Sequence, residues 1–508
     1  MSLAAILTDR PSIAISIDPP DRQHTLERVA IAAAQIGRQC AVWTPCAQGW
    51  HDWARALSIW EDGDLERSIA ACLQVDRLPL GVAVYVDLFA AIATLPPAFG
   101  IRATIAIENL CCQLQQSSQH RIVFLETGEI PTRFARTIYS YELPLPIRSE
   151  IESMLKEREL PIAPNILNAL SGLTESEVKI ALQRVDLHLD PSAIVETLLN
   201  YKYAVFKNHG LEFLNETTTK DIGGLDLLKA ELDLVLRTFS DEARAYNIPL
   251  HRGFFTVGPP GVGKTYFAKI CSQKLGFPLV NIGIDAVKSQ GIVKFKQMLR
   301  RIDACEPCIA FIDELDKFFP RGEGERGDEA SEQILAVLLT WLNEKTSRTL
   351  SIATANRLRN IPVELTRAGR FDSAYYIDFP SPAERKEILQ IHCARFDRAF
   401  ECGDGRLSRE EWARILEKTN KCTGAELAQI ATDAARAIFC TLAPGAELKI
   451  ELTDLLTARE NMKTLNQRDG EAISAMENQA KGFCKPASSN TSSPFDLPIR
   501  KLYKSANN

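Results

Sequence analysis

The densest chemistry in this 508-residue sequence lies in the run Gly258-Pro-Pro-Gly-Val-Gly-Lys-Thr265. An apolar run, Phe254 to Val257, leads into it, and the helix-forming stretch Tyr266-Phe-Ala-Lys-Ile follows. Glycines at 258, 261 and 263 let the backbone curl so that successive amides point at a phosphate, and the start of a helix adds partial positive charge. On this reading Gly258, Pro259, Pro260, Gly261, Val262, Gly263 and Tyr266 surround the phosphates of a bound ATP. Lys264 neutralises the β and γ phosphates, and the Thr265 hydroxyl is a magnesium ligand. A plain glycine turn capping a helix predicts neither the lysine nor a second metal ligand elsewhere.

That second ligand is expected at Asp313, where the apolar run Cys308-Ile-Ala-Phe-Ile ends and a carboxylate emerges at the carboxyl edge of a sheet. Glu314 follows and is the candidate to polarise the attacking water. A further apolar run ends in Thr354-Ala-Asn-Arg, placing the Asn356 amide where it can orient the same water. Next come Arg367 and Arg370 in Leu365-Thr-Arg-Ala-Gly-Arg-Phe-Asp372. Either arginine can stabilise charge developing on the γ-phosphate, provided it reaches the site of a neighbouring copy.

Taken in order, GPPGVGKT, CIAFIDELDK, SIATAN and LTRAGRFD resemble the AAA ATPase family, with its Walker A and Walker B motifs and arginine finger. The resemblance implies that Ile222 and Gly223 lie near the adenine and that His392 contacts the nucleotide. It also implies that Thr423-Gly-Ala-Glu-Leu427 belongs to a helical lid bringing Gly424 and Ala425 to the nucleotide. Without it, His392 reads as a lid-packing histidine. Ala425 stands where other AAA branches carry a sensor arginine.

A closer resemblance extends over almost the whole chain, to an AAA family encoded by a conserved hypothetical reading frame of algal chloroplast genomes and cyanobacteria. Gly37-Arg-Gln-Cys-Ala-Val-Trp, Trp341-Leu-Asn-Glu-Lys-Thr and Lys485-Pro-Ala-Ser carry it. One departure stands out. Between Gly283 and Leu299 the chain has no aromatic-apolar-glycine pore loop, so the resemblance does not extend to threading a polypeptide.

The elements that must position these residues form a βαβα pattern in both halves. Strands are expected at Ile13 to Ile17, Val82 to Val86, Ile122 to Leu125, Phe254 to Val257, Cys308 to Ile312 and Leu350 to Thr354. The fold class is α/β: a P-loop NTPase (AAA) parallel sheet with a helical lid, preceded by a degenerate AAA-like α/β domain with its own small helical region. The expected boundaries are 1–145 for the degenerate domain, 146–207 for its helices and linker, 208–380 for the catalytic α/β domain and 381–465 for the lid. Residues 466–508 lose periodicity and are expected as a partly flexible tail, in which the run Ser488-Ser-Asn-Thr-Ser-Ser-Pro reads as flexible.

The degenerate domain is inferred from an internal duplication. Ile17-Asp-Pro-Pro-Asp-Arg-Gln-His-Thr25 aligns with Val257 to Thr265, so Asp18, Asp21 and His24 replace two glycines and the lysine. The strand ending at Asp87 aligns with the one ending at Asp313, which puts Leu88 at the place of Glu314.

Composition sets outer limits. A net charge of −6 with interleaved signs gives no footprint for nucleic acid. No run approaches the length needed to span a bilayer, and the start lacks a basic leader, so a soluble cytoplasmic or stromal protein is expected. Thirteen scattered cysteines, with Cys305 and Cys308 as a lone C-x-x-C, fit a reducing compartment better than a metal site.

The expected function is magnesium-dependent ATP hydrolysis driving remodelling or regulation of a protein partner in a ring of identical copies, expected to be a hexamer. The alternative is a slow-turnover, ATP-dependent switch or adaptor that recruits partners through its first half. A membrane-type metalloprotease is excluded by the lack of H-E-x-x-H among seven histidines, and the acidic balance weighs against a clamp loader or helicase.

Overall fold

The computed structural model describes residues 2–489 apart from 62, 118, 129, 187–189, 215–222, 320–328, 368, 402 and 444. The chain divides into two compact units, Met1–Lys202 and Tyr203–Asn508. All six expected strands are present, three in each unit.

The first unit is built on β1 (Ser12–Ser16), β2 (Cys40–Thr44), β3 (Ala47–Asp52), β4 (Gly81–Val86), β5 (His120–Glu126) and β6 (Tyr139–Tyr141). They lie in the order β3-β2-β4-β5-β1-β6, parallel except for the β2/β3 pair. Strands buried on both faces need apolar side chains on both, and β4 is buried at every position. Alternation then sorts the two faces. Ile13, Ile15 and Val84 pack with Leu26, Val29 and Ala33 of the helix Arg22–Gln35. Ala14, Tyr85 and Phe124 pack with Phe99, Ile107 and Leu110 of the helix Pro97–Leu114. Four helices follow: Arg148–Glu157, Pro164–Leu170, Glu175–Gln183 and Pro191–Asn208.

The second unit carries β7 (Leu211–Phe213), β8 (Gly253–Val257), β9 (Leu279–Ile282), β10 (Cys308–Ile312), β11 (Thr349–Ala355), β12 (Ser373–Tyr376) and β13 (Lys485–Pro486). Their order is β13-β12-β8-β11-β10-β9-β7, with only β7 antiparallel to its neighbour. Phe254, Phe311 and Ile352 meet Phe267 and Cys271 of the helix Lys264–Leu275 and Leu228 and Leu232 of the helix Asp226–Thr238. Four helices, Pro382–Cys393, Arg409–Lys418, Gly424–Thr441 and Leu452–Glu460, enclose their own core around Leu389, Trp412, Leu427 and Leu455.

The two sheets share one strand order. Reading outward, β6-β1-β5-β4-β2-β3 repeats as β12-β8-β11-β10-β9-β7, and in both the outermost strand is antiparallel. With Ile17 matched to Val257 the ladders keep Asp87 at the place of Asp313, whereas matching the first strand residues, Ser12 and Gly253, shifts the alignment by one residue, and the backbone favours the shifted match. Ser12 faces Ile122 and Gly253 faces Ser351, while Ala83 faces Ile122 and Ala310 faces Ser351. Counting three residues on, Val86 occupies the place of Asp313, and Asp87 that of Glu314. Asp87 and Glu314 share a left-handed backbone, φ 51° and 54°.

One other expectation changes. A helix spans Leu465–Ala480, with Ile473, Met476 and Ala480 buried, where loss of periodicity predicts a tail. Its pattern is broken by Asp469, whose φ of −128° is not helical. The segment without a pore-loop motif forms two helical stretches within Ile284–Ala304, which meet at a kink at Gly291, φ 78°. Residues from 490 on lie outside the described residues.

Candidate active site

β8, β11 and β10 run parallel, so the residues that follow β8 and β10 leave the sheet at the same edge. The chain after β8 must turn closely over that edge. A Cβ at Gly258 would stand 2.2 Å from the Ile377 carbonyl, and Gly263 has a φ of +105°, so both positions favour glycine. Gly263 ends the turn and the helix Lys264–Leu275 begins.

Lys264 is 6% exposed, and its Nζ donates to the carbonyls of Gly258 and Pro259 at 2.7 Å each. Burial pulls its pKa down to about 8, against the opposing charges of Asp313, Asp316 and Glu314. The ammonium thus holds the loop curled while facing three carboxylates.

Thr265 Oγ1 donates to Asp313 Oδ2 at 3.2 Å and to Oδ1 at 3.3 Å. Thr354, fully buried in β11, donates to Asp313 Oδ1 at 2.6 Å and accepts from the Glu314 amide at 2.8 Å. One hydroxyl therefore fixes two consecutive acids. The Glu314 carboxylate accepts from Asn356 Nδ2 at 2.9 Å and pairs with Lys317. The Asn356 backbone N–H donates to Asp316 Oδ1 at 3.0 Å. Thr354 and Asp316 were missed in the sequence, although Thr354 is two residues before Asn356 in the same strand end.

Lys264, Thr265, Asp313, Glu314 and Asn356 line a cavity of about 510 Å³. It brings together Gly223, Pro260, Gly261, Val262, Gly263, Lys264, Thr265, Tyr266, Asp313, Glu314, Asn356, His392, Gly424 and Ala425. Leu225, Ile388 and Ile391 add apolar walls that no motif announces. Gly258 and Pro259 shape the loop without lining the cavity, and Ile222 lies outside the described residues. Burial depresses the His392 pKa to about 4, with Arg395 adding to the effect, so its ring is neutral at pH 7.

The lid helix Gly424–Thr441 meets the loop directly. Thr423 caps it, accepting from the Glu426 amide, and Ala425 N donates to Gly261 O at 3.0 Å. Glu384, at the start of the helix Pro382–Cys393, accepts from the Leu225 amide at 3.0 Å, and Glu387 accepts from Gly224 at 2.9 Å. Arg367 and Arg370 do not line the cavity. Arg367 is exposed, and Arg370 donates to the Leu339 carbonyl.

The donor set suits a magnesium ion in chemical type: a hydroxyl and a carboxylate, both hard oxygens, within 3.3 Å of each other beside a phosphate-shaped loop. Elsewhere among the described residues no cluster of three or more His, Cys, Asp or Glu is arranged to hold a metal. Cys305 and Cys308 are buried, with Cys308 Sγ directed at the Ile302 carbonyl. Among the described residues no helix is long and apolar enough to cross a membrane.

In the first unit the corresponding edge is filled by its own side chains. Arg22 pairs with Asp87, which also accepts from Thr127 N at 2.9 Å and Oγ1 at 2.7 Å. Thr174, capping the helix Glu175–Gln183, donates to Asp21 at 2.7 Å, and His24 Nε2 lies 2.5 Å from Glu175.

Residues 254–379 match the model of the ATPase family associated with various cellular activities (AAA). The uncharacterized AAA domain-containing protein ycf46 of Pyropia yezoensis is 26% identical over 389 residues, 73% of this chain and 76% of that protein. The ATP-dependent zinc metalloprotease FtsH of Pseudomonas putida is 30% identical over 285 residues, 54% of this chain and 44% of that protein. The crystal structure of the FIGL-1 AAA domain matches with a TM-score of 0.45 at 21% identity, over 59% of this chain and 97% of that one. Residues 254–379 therefore form an AAA ATPase domain, in a chain that over most of its length is similar to the ycf46 proteins.

Proposed function

We propose that the second unit binds ATP with magnesium and hydrolyses it, and that the cycle remodels or regulates a protein partner within a ring of identical copies. The observation that carries the reading is convergence on one cavity. Lys264, Thr265, Asp313, Glu314 and Asn356 come from two strand ends and a helix start, and all line it. Lys264 would exchange the carbonyls of its own loop for phosphate oxygens. Thr265 and Asp313 would hold magnesium, which supplies charge neutralisation on the phosphates. Glu314 would take up the proton of the attacking water, with the Asn356 amide fixing the carboxylate. Arg367, exposed and outside the cavity, suits a role at a neighbouring copy's γ-phosphate. His392, neutral and in the wall, would offer the nucleotide a hydrogen bond rather than a charge.

The second reading, a slow-turnover switch, is favoured by one observation. The Glu314 carboxylate is engaged by both Asn356 and Lys317, so a base so held must be released before it acts.

Two variants test the proposal. Lys264→Ala should lose ATP binding, because the phosphate loop then meets a triphosphate without its ammonium, opposite Asp313 and Glu314. Glu314→Gln should keep binding within a few-fold and lose about 100-fold or more in turnover, the range for a missing general base. Equal turnover in wild type and Glu314→Gln removes Glu314 from the chemistry. Wild-type turnover below about one per minute, against the ordinary range of 1 to 1,000 per second, favours the switch. A Glu314→Gln trap, with ATP bound, is also the form in which to capture the partner.

A further inference from the structure

We propose that Arg252 is a positioning residue for the arginine loop 367–372, acting through the end of the helix Glu329–Glu344. The proposal rests on the reading that Arg367 or Arg370 serves a neighbouring copy.

Arg252 immediately precedes β8, on the opposite end of the strand from the phosphate loop. Its guanidinium Nη1 donates to three carbonyls: Leu342 at 3.0 Å, Asn343 at 2.6 Å and Gly369 at 3.0 Å. The first two belong to the last turn of the helix, where carbonyls lack helical partners and a cation is favoured. The third belongs to the loop, between the two arginines. One cation thus joins the loop to the helix end.

The backbone of Arg252 joins the same assembly. Its amide donates to Asp372 Oδ2 at 2.6 Å, and the Asp372 amide donates to the Gly253 carbonyl at 3.1 Å. Its carbonyl accepts from Lys345 Nζ at 2.9 Å, and Lys345 also donates to Thr349 O at 2.7 Å and Ser351 Oγ at 2.6 Å. Arg370 adds a further tie through the Leu339 carbonyl one turn earlier on the helix.

The loop is therefore held at Gly369, Arg370 and Asp372, while Arg367 projects unfastened into solvent. Gly369 has a φ of +88°, so its carbonyl direction depends on a conformation that few residues adopt. Without Arg252 the Gly369 carbonyl and the helix end lose their shared donor, and Arg367 loses its fixed base. None of these contacts reaches the cavity, so nucleotide binding in the same copy should be untouched.

Mixed assemblies separate this role from general damage. Arg252→Ala alone should bind a fluorescent ADP analogue with wild-type affinity and lose about tenfold in kcat, a fraction of what a lost transition-state cation costs. Mixed with Lys264→Ala copies, which cannot bind nucleotide but carry an intact Arg252 clasp, it should recover turnover above the sum of the two alone. Arg367→Ala or Arg370→Ala mixed with Lys264→Ala should recover in the same way. Arg252→Lys, which keeps the charge, should retain part of the turnover alone and serves the same comparison should the alanine variant not fold.

If an arginine-loop variant recovers and the Arg252 variants do not, or if the Arg252 variants lose ADP affinity, Arg252 acts on its own copy and the positioning role is overturned. If neither Arg367→Ala nor Arg370→Ala recovers with Lys264→Ala, the cross-copy reading fails and the clasp fails with it.

Discussion

Lys264 carries its charge where burial works against it. Its pKa of about 8, down from 10.5, reflects desolvation that three nearby carboxylates only partly offset. Phosphates would raise that value, so nucleotide binding above about pH 8 requires uptake of a proton. ATP affinity should accordingly be level near pH 7 and fall between about pH 8 and 9.5, by at most about tenfold per pH unit. The nucleotide-free fold should respond in the opposite sense. Its Lys264 binds fewer protons than the unfolded chain between about 8 and 10.5, so this group favours folding increasingly as pH rises through that window. Titrations of nucleotide binding across this range test the point, and an unchanged affinity to pH 9.5 removes it. The lysine was legible from its motif, but its pKa was not, since that depends on Asp316 and on burial, which only the fold supplies. Thr354 was hidden for a related reason: a threonine in an apolar strand reads as a β-former until its hydroxyl is seen between Asp313 and Glu314.

Elements that announce themselves by period were legible, and those held by a few particular contacts were not. β4, β8 and β10 are apolar runs bounded by turn residues, which is what a strand buried on both faces must be. β13 is two residues long and has no such signal, yet it closes one edge of the second sheet. Ala487 beside it is 2% exposed, donating to Tyr376 O and accepting from Leu228 N, both at 3.1 Å. Ser488 donates at 2.6 Å to Glu384 Oε1, the same oxygen that accepts from Leu225 in the cavity wall. This segment therefore joins the edge strand, the helix Asp226–Thr238 and the base of the lid. Truncation after Cys484 should lower the melting temperature of the second unit by several degrees and weaken ATP binding, because Glu384 loses one of its donors. Ser488→Ala should reproduce a smaller part of the affinity loss without the thermal shift. Thermal melts and nucleotide titration of the two variants check both, and unchanged affinity after truncation shows that the lid base stands without this segment.

At the scale of the whole chain the two units share a strand order and a run of four helices, yet their polar edges are built for different ends. In the second unit the lid reaches the loop through backbone, Ala425 to Gly261, and leaves a cavity between them. In the first the lid reaches its loop through side chains, Thr174 to Asp21 and Glu175 to His24. Asp87, at the place of Glu314, is taken up by Arg22 and Thr127. A triphosphate entering there would meet Asp18 and Asp21 without a lysine at the loop, and would have to displace the pairs Arg22–Asp87 and His24–Glu175. Removing one partner of such a pair exposes a further carboxylate and makes an anion less welcome still. The chain should therefore bind one nucleotide, in the second unit. Calorimetric titration of the full chain should give about one site per chain, and Lys264→Ala should abolish it entirely rather than leave a second, weaker site. Arg22→Ala should destabilise the first unit without creating a site, since it frees Asp87 and supplies no cation. Two sites per chain, or one surviving in Lys264→Ala, would show that the first unit still takes nucleotide despite the acids in its loop.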